Sequence, residues 1–72
     1  MSMMELLKFS QTGGRTVSII TKNGSLDCTV TKIWWDDMDD VISLKLASDG
    51  RHMTIPYNNI IEVKKVGLAW GR

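Results

Sequence analysis

The sequence predicts an all-β domain with one N-terminal helix, its five short antiparallel strands forming a meander curled into a small barrel. Three observations carry this expectation. Within Ser25 to Leu46, two apolar-patterned runs flank an acidic knot, Asp36-Asp37-Met38-Asp39-Asp40, and read as two long antiparallel strands joined there. Turn-forming pairs, Asn23-Gly24 and Asp49-Gly50, punctuate the period-two runs. Strand-favouring β-branched residues dominate those runs.

The elements follow in order. Ser2-Met3-Met4-Glu5 fits a capping box, with Ser at the N-cap and Glu three residues later. Met3, Leu6 and Leu7 share one helical face, and Gly13-Gly14 supplies the stop, so a helix is expected over about 2–11. The Met-rich stripe of that helix reads as a lid on a barrel end. From Arg15 to Thr21, Val17 and Ile19 point one way and Thr16, Ser18 and Ile20 the other, before a turn at Lys22-Asn23-Gly24.

The second strand starts with Leu26, Cys28 and Val30 on one face, then changes phase so that Ile33 and Trp35 continue the apolar side. A phase change inside a strand requires an extra residue, placed most simply as a β-bulge near Thr31-Lys32. Trp34 and Trp35 are adjacent and take opposite faces, one toward the core and one toward a surface or interface. After the knot, Ile42, Leu44 and Leu46 alternate with Ser43, Lys45 and Ala47.

Met53, Ile55 and Tyr57 form the next strand face. Pro56 lacks a ladder donor, which makes this strand an edge or ends it. Ile60 to Val66 is the last strand, apolar on both faces and so expected to be covered on both. Hairpins are expected between all sequence neighbours. The single domain thus has a helix over about 2–11, a barrel over about 15–66 and a loose tail at 67–72 anchored by Trp70.

Composition narrows the function classes. At 72 residues the core is small, and chains below about 80 residues often need a metal, disulfides or oligomerisation. One cysteine, Cys28, excludes an internal disulfide, and one Cys with one His argues against a protein-built zinc site. Oligomerisation is then the expected extra source of stability. A free core thiol fits a reducing interior. No signal peptide is seen, and the apolar runs fall far short of the roughly 20 residues of a membrane span, so a soluble, cytoplasmic protein without membrane contact is expected.

The net charge is only +1, which argues against strong nonspecific polyanion binding. With nine basic and eight acidic residues, four of the acids in the knot, the remainder is net basic by five. Neither a Gly-rich phosphate loop nor a nucleophile elbow nor a His-containing triad is present, so the chain reads as a non-enzyme with no cofactor and no metal. The acidic knot reads as a solvated loop tip rather than a cation site, and its spacing does not match an EF-hand.

The pattern resembles the Sm-like family, which includes Sm, Lsm and Hfq proteins. The resemblance covers roughly Met4 to Val66 and is to a small protein of bacterial or phage type. Thr16 to Leu26 is similar to the first family strand and the turn after it. Asp36 through Leu44, DDMDDVISL, is similar to the first motif, Asp…Met-Asn-hydrophobic-x-Leu, and Ile55 to Val63, IPYNNIIEV, to the second. The resemblance implies an SH3-like, strongly bent five-stranded barrel that forms homo-oligomeric rings, in a family-based range of about five to seven subunits.

It also implies an RNA-binding or RNA-chaperone role. The candidate contacts with single-stranded RNA are Met38, Asp39, Asp40, Tyr57 and Asn58 of the motif segments, joined by the basic strand residue Arg51. The implied ring interface comprises Met53, Ile55, Tyr57, Ile61, Val63 and Val66. The family's base-holding Asn falls at Asp39 or Asp40, its Arg-Gly falls at Pro56-Tyr57, and the Lys-His pair of Hfq is absent. Specificity is therefore expected to differ from oligo-uridine binding. A structural or protein-interaction ring that does not bind RNA is the alternative.

Overall fold

The computed structural model describes residues 1–36 and 39–71; Met38 of the expected site lies outside them. A helix, α1 (Met3–Gly13), precedes five strands: β1 (Val17–Thr21), β2 (Gly24–Asp36), β3 (Asp39–Leu46), β4 (His52–Pro56) and β5 (Glu62–Lys65). They form one antiparallel sheet in the order β4-β3-β2-β1-β5.

The capping box forms as expected. The Ser2 hydroxyl accepts from the Glu5 amide at 3.2 Å, and the Glu5 carboxylate accepts from the Ser2 amide at 3.0 Å. Two of the helix's orphan donors are thereby satisfied. At the other end Gly14, at φ 64°, donates its amide to the Ser10 carbonyl. The helix buries Leu6, Leu7 and Ser10 against the sheet.

β2, 13 residues long, organises the sheet. Its first part pairs with β1 as far as the Val17–Cys28 rung, and its remainder pairs with β3 from Cys28–Leu46 to Asp36–Asp39. The register shifts between Val30 and Lys32, leaving Thr31 as the extra residue of the expected bulge. Cys28 and Val30 before the bulge, and Ile33 after it, therefore all turn toward the core. That core comprises Leu6, Leu7, Val17, Ile19, Cys28, Val30, Ile42, Leu44, Leu46, Ile60 and Val63.

Four expectations need correction. First, not all sequence neighbours pair as hairpins: β5 crosses to lie beside β1, with Ile19 opposite Val63. The three-residue 3-10 turn Tyr57–Asn59 carries the chain across. Pro56 does end an edge strand, as its missing donor requires.

Second, the β3–β4 connection is wider than a two-residue turn. The Leu46 amide donates to the Arg51 carbonyl at 2.8 Å and the Gly50 amide to the Leu46 carbonyl at 2.9 Å. The Asp49 carboxylate captures the Arg51 amide at 3.0 Å, and Gly50 sits at φ 76°, which together open the loop.

Third, β5 is shorter than Ile60 to Val66. Single bonds from the Ile61 amide to the Ile20 carbonyl (2.7 Å) and from the Val66 amide to the Thr16 carbonyl (3.1 Å) flank it. Fourth, Trp70 anchors the C-terminal segment as expected, but it is not the sole anchor. The Trp70 indole donates to the Thr16 carbonyl at 2.7 Å, and Arg15 Nε donates to the Ala69 carbonyl at 3.1 Å. The Arg15 guanidinium also lies 5.5 Å from the Trp70 ring, within cation–π range.

Candidate nucleic-acid interface

Successive residues of the β2–β3 hairpin take opposite faces, which separates two sites. On one face lie Lys32 and Trp34 of β2, with Asp39 and Val41 of β3. On the other lie Ile33 and Trp35, with Asp40 and Ile42 across from them. Lys32 Nζ stands 5.3 Å from the Trp34 ring. Trp34 is half-buried and Trp35 is 69% exposed, so neither tryptophan is a core residue.

The face carrying Asp39 meets the 3-10 turn after β4. Val41 pairs with Pro56, and the Asn58 amide points its donor at an Asp39 carboxylate oxygen, 3.5 Å away. That distance is at the limit of a hydrogen bond, so the contact registers proximity more than energy. Tyr57 is half-buried and packs against the core. Asp39, Asn58 and Tyr57 are thus brought to one region. Arg51 is not: it precedes β4 at the other end, roughly 20 Å along the strand from Tyr57, and its guanidinium pairs with Asp49 at 2.6 Å.

The face carrying Asp40 meets the helix. Trp35 and Asp40 form a cross-strand rung. With Met4 and Lys8, one turn apart on α1, with Ile33 and with the neighbouring Trp34 at its rim, they line a cleft of about 330 Å³. A second cleft, of about 440 Å³, lies between the β1–β2 turn and β4, and includes Leu26, Met53, Ile55 and Ile61.

The expected interface residues divide. Ile61 is 63% exposed and Met53 36%, while Ile55 and Val66 are half-buried. The Val63 side chain belongs to the chain's own core, 6% exposed, and only its backbone remains at the sheet edge.

Titration behaviour follows local contacts. Hydrogen bonds from the backbone and hydroxyl of Ser2 hold Glu5 below the ordinary carboxylate value. The Arg51 amide does the same for Asp49, assisted by the Arg51 side chain. Burial pushes the Cys28 thiol up to about 11, so it is protonated at neutral pH and not a nucleophile.

Sequence reasoning missed two features. Ser10 is a fully buried polar side chain; its position one turn beyond Leu6 and Leu7 was the available signal. The Trp35–Asp40 rung was missed because the pairing register, not the sequence spacing, makes them neighbours. In comparisons with known proteins, no family model, curated protein or solved structure matches this chain. Its function must be argued from its own geometry.

Proposed function

We propose that this chain is an Sm-like protein whose copies complete one another's sheet edges into a closed ring, and that the ring binds single-stranded RNA. The observation that carries this reading is the strand order, which leaves β4 and β5 as the two outer strands of the sheet. Unpaired strand edges attract further strands. Pairing β4 of one copy with β5 of the next is a head-to-tail contact, and closure of the rotation gives a ring. The apolar cleft with Met53, Ile55 and Ile61 adjoins those edges and would be covered by the neighbouring copy.

The proximity of Asp39 on the β2–β3 hairpin to Asn58 on the β4–β5 turn supports the RNA role. These are the two segments similar to the family's motifs, and Tyr57 adds a ring able to stack a base. The contrary reading, a protein-interaction ring, draws on Asp39 and Asp40, which repel phosphate, and on Pro56, which offers neither charge nor donor.

Native mass spectrometry and sedimentation test assembly. The chain should form one closed oligomer at micromolar concentration, and Ile61→Glu, at a side chain already exposed, should disperse it into folded monomers. A native chain that sediments as a monomer sinks the ring. Titration of short labelled RNAs at several salt concentrations tests binding, which should weaken with salt as counterions are released. Tyr57→Ala should weaken it with assembly intact. An intact ring that binds no RNA at low salt favours the protein-interaction reading.

A further inference from the structure

The β2–β3 hairpin overhangs the body of the domain. On its core-side face the rung Ile42–Ile33 is still covered, with Ile42 fully buried. The next rung outward, Trp35–Asp40, is not: Trp35 remains 69% exposed. Trp35 thus presents a large aromatic face on the core-facing side of the strand that is open to a ligand.

The groups around it have a defined chemistry. Trp35 offers an aromatic face. Asp40, its cross-strand neighbour, offers a carboxylate about 5 Å away at the Cβ level. Met4 and Lys8 of α1 supply a thioether and an ammonium on the opposite wall. Among the described residues, neither Asp40 nor Lys8 has an ion-pair partner. At about 330 Å³ the cleft stands at the small end of ligand pockets, large enough for one nucleotide and too small for a partner helix.

We propose that this cleft binds a guanine base of single-stranded RNA, stacked on Trp35 with its Watson–Crick edge against the Asp40 carboxylate and its phosphate toward Lys8. The inference rests on the RNA-binding reading and adds a base preference to it. A carboxylate only accepts hydrogen bonds. Guanine alone among the four bases presents two adjacent donors, N1–H and the 2-amino group, on that edge. Adenine and cytosine each present a single amino donor beside an unprotonated ring nitrogen, which a carboxylate repels. Uracil presents N3–H between two carbonyls, which repel it likewise. The base is neutral, so the carboxylate meets no charge repulsion at that edge, and the two donors offset its loss of water. Asp39 points from the other face of the hairpin, away from this cleft.

The test uses the full chain and labelled oligoadenylate hexamers carrying one central guanine, inosine, adenine, uracil or cytosine, titrated at low salt. Guanine should bind tightest. Inosine, which lacks only the 2-amino group, should bind about tenfold more weakly, the scale of one lost charged hydrogen bond. Asp40→Asn, nearly isosteric and exposed, should abolish the guanine-over-inosine preference. Trp35→Ala should weaken binding of the guanine oligomer about tenfold, the scale of one lost stack. Lys8→Ala should flatten its salt dependence by about one phosphate contact. Circular dichroism of each variant checks that it is folded. Equal binding of guanine and inosine, or a preference unchanged in Asp40→Asn, overturns the guanine cleft while leaving RNA binding in place. No binding of any oligomer at low salt overturns both.

Discussion

Replacing Ser10 with alanine should destabilise the domain out of proportion to the single oxygen removed. Ser10 is fully buried. Its hydroxyl donates to the Arg15 carbonyl at 2.5 Å and accepts from the Val30 amide at 3.0 Å. The β1 ladder stops at the Val17–Cys28 rung, two residues short of Val30, and the hydroxyl takes up that amide beyond the ladder's end. One side chain thus ties the end of α1 to the entry of β1 and to β2 just before the bulge. Without it, two backbone groups lose their partner, at about 1–3 kcal/mol each where water is excluded. Some water entry beside the half-buried Arg15 brings the expected cost to about 2–4 kcal/mol. The total stability of a chain this long is only about 4–11 kcal/mol. At ~4–8 °C per kcal/mol for small domains, the melting temperature should fall by roughly 8–32 °C. Thermal and urea unfolding followed by tryptophan fluorescence, at one fixed protomer concentration, reads this directly. Thr12→Ala is the control, since that exposed hydroxyl bonds back within its own helix, to the Lys8 carbonyl at 3.0 Å and the Phe9 carbonyl at 3.5 Å, and it should change stability by less than about 0.5 kcal/mol. A Ser10→Ala variant that melts with Thr12→Ala refutes the reasoning.

The remaining predictions concern the thiol, the C-terminal segment and the helix cap. Cys28, raised from 9.0 to about 11 by burial, contributes stability that is whole below pH 9 and lost as the pH rises toward 11. Cys28→Ala should flatten the fall in the urea midpoint over that interval, and native Cys28 should resist alkylation at pH 8 until the chain is unfolded. Trp70→Phe should cost about 1 kcal/mol by removing the indole bond to the Thr16 carbonyl. Trp70→Ala, which also removes the ring beside Arg15 and Lys65, should cost about 2 kcal/mol and open the C-terminal segment to proteolysis. Ser2→Ala should cost about 0.5–2 kcal/mol through the lost cap, visible as reduced helical circular dichroism. Because Ser2 depresses the Glu5 pKa, the cap's contribution is present above the ordinary carboxylate value and fades as pH falls through the lower folded value. Glu5→Gln, which removes the titrating carboxylate, should therefore make the acid transition less steep, whereas Ser2→Ala keeps the backbone amide at position 2 that is the larger cause of the depression; an unchanged acid limb in Glu5→Gln would count against the coupling.

What could be read from the sequence was what depends on neighbours along the chain. The capping box at Ser2 and Glu5, the phase change after Val30 and the edge role imposed by Pro56 are local signals, and each appears where its residues lie. What could not be read depends on register. Nothing in the spacing says that β5 passes over β4 to lie on β1, since Ile60, Ile61, Val63 and Val66 look equally able to pair with either. The structure assigns Val63 to the core and leaves Ile61 outside, a division that follows only once Val63 is set opposite Ile19. Arg51 lies apart from the other candidate site residues for a similar reason. It is only six residues from Tyr57 in sequence, but an extended strand converts that separation into length. The second hold on the C-terminal segment, beside Trp70, was hidden because Arg15 and Ala69 are 54 positions apart.

The Thr31 bulge links the fold to the candidate site. A strand that kept its phase would carry Cys28 and Val30 on the core side and then Lys32 and Trp34, with Ile33 and Trp35 turned outward. That register would drive an ammonium toward the core beneath α1. The extra residue reverses the sides, placing Ile33 against the core and, one rung further, Trp35 beside Asp40. The same irregularity therefore serves stability at one rung and exposes an aromatic and a carboxylate at the next. Since β2 extends past the last residue that β1 pairs, among the described residues it is α1 that lines that outer rung from outside the hairpin, with Met4 and Lys8. The cleft is thus a consequence of how far β2 continues after it has changed phase, and its chemistry is set by what the helix presents one turn apart.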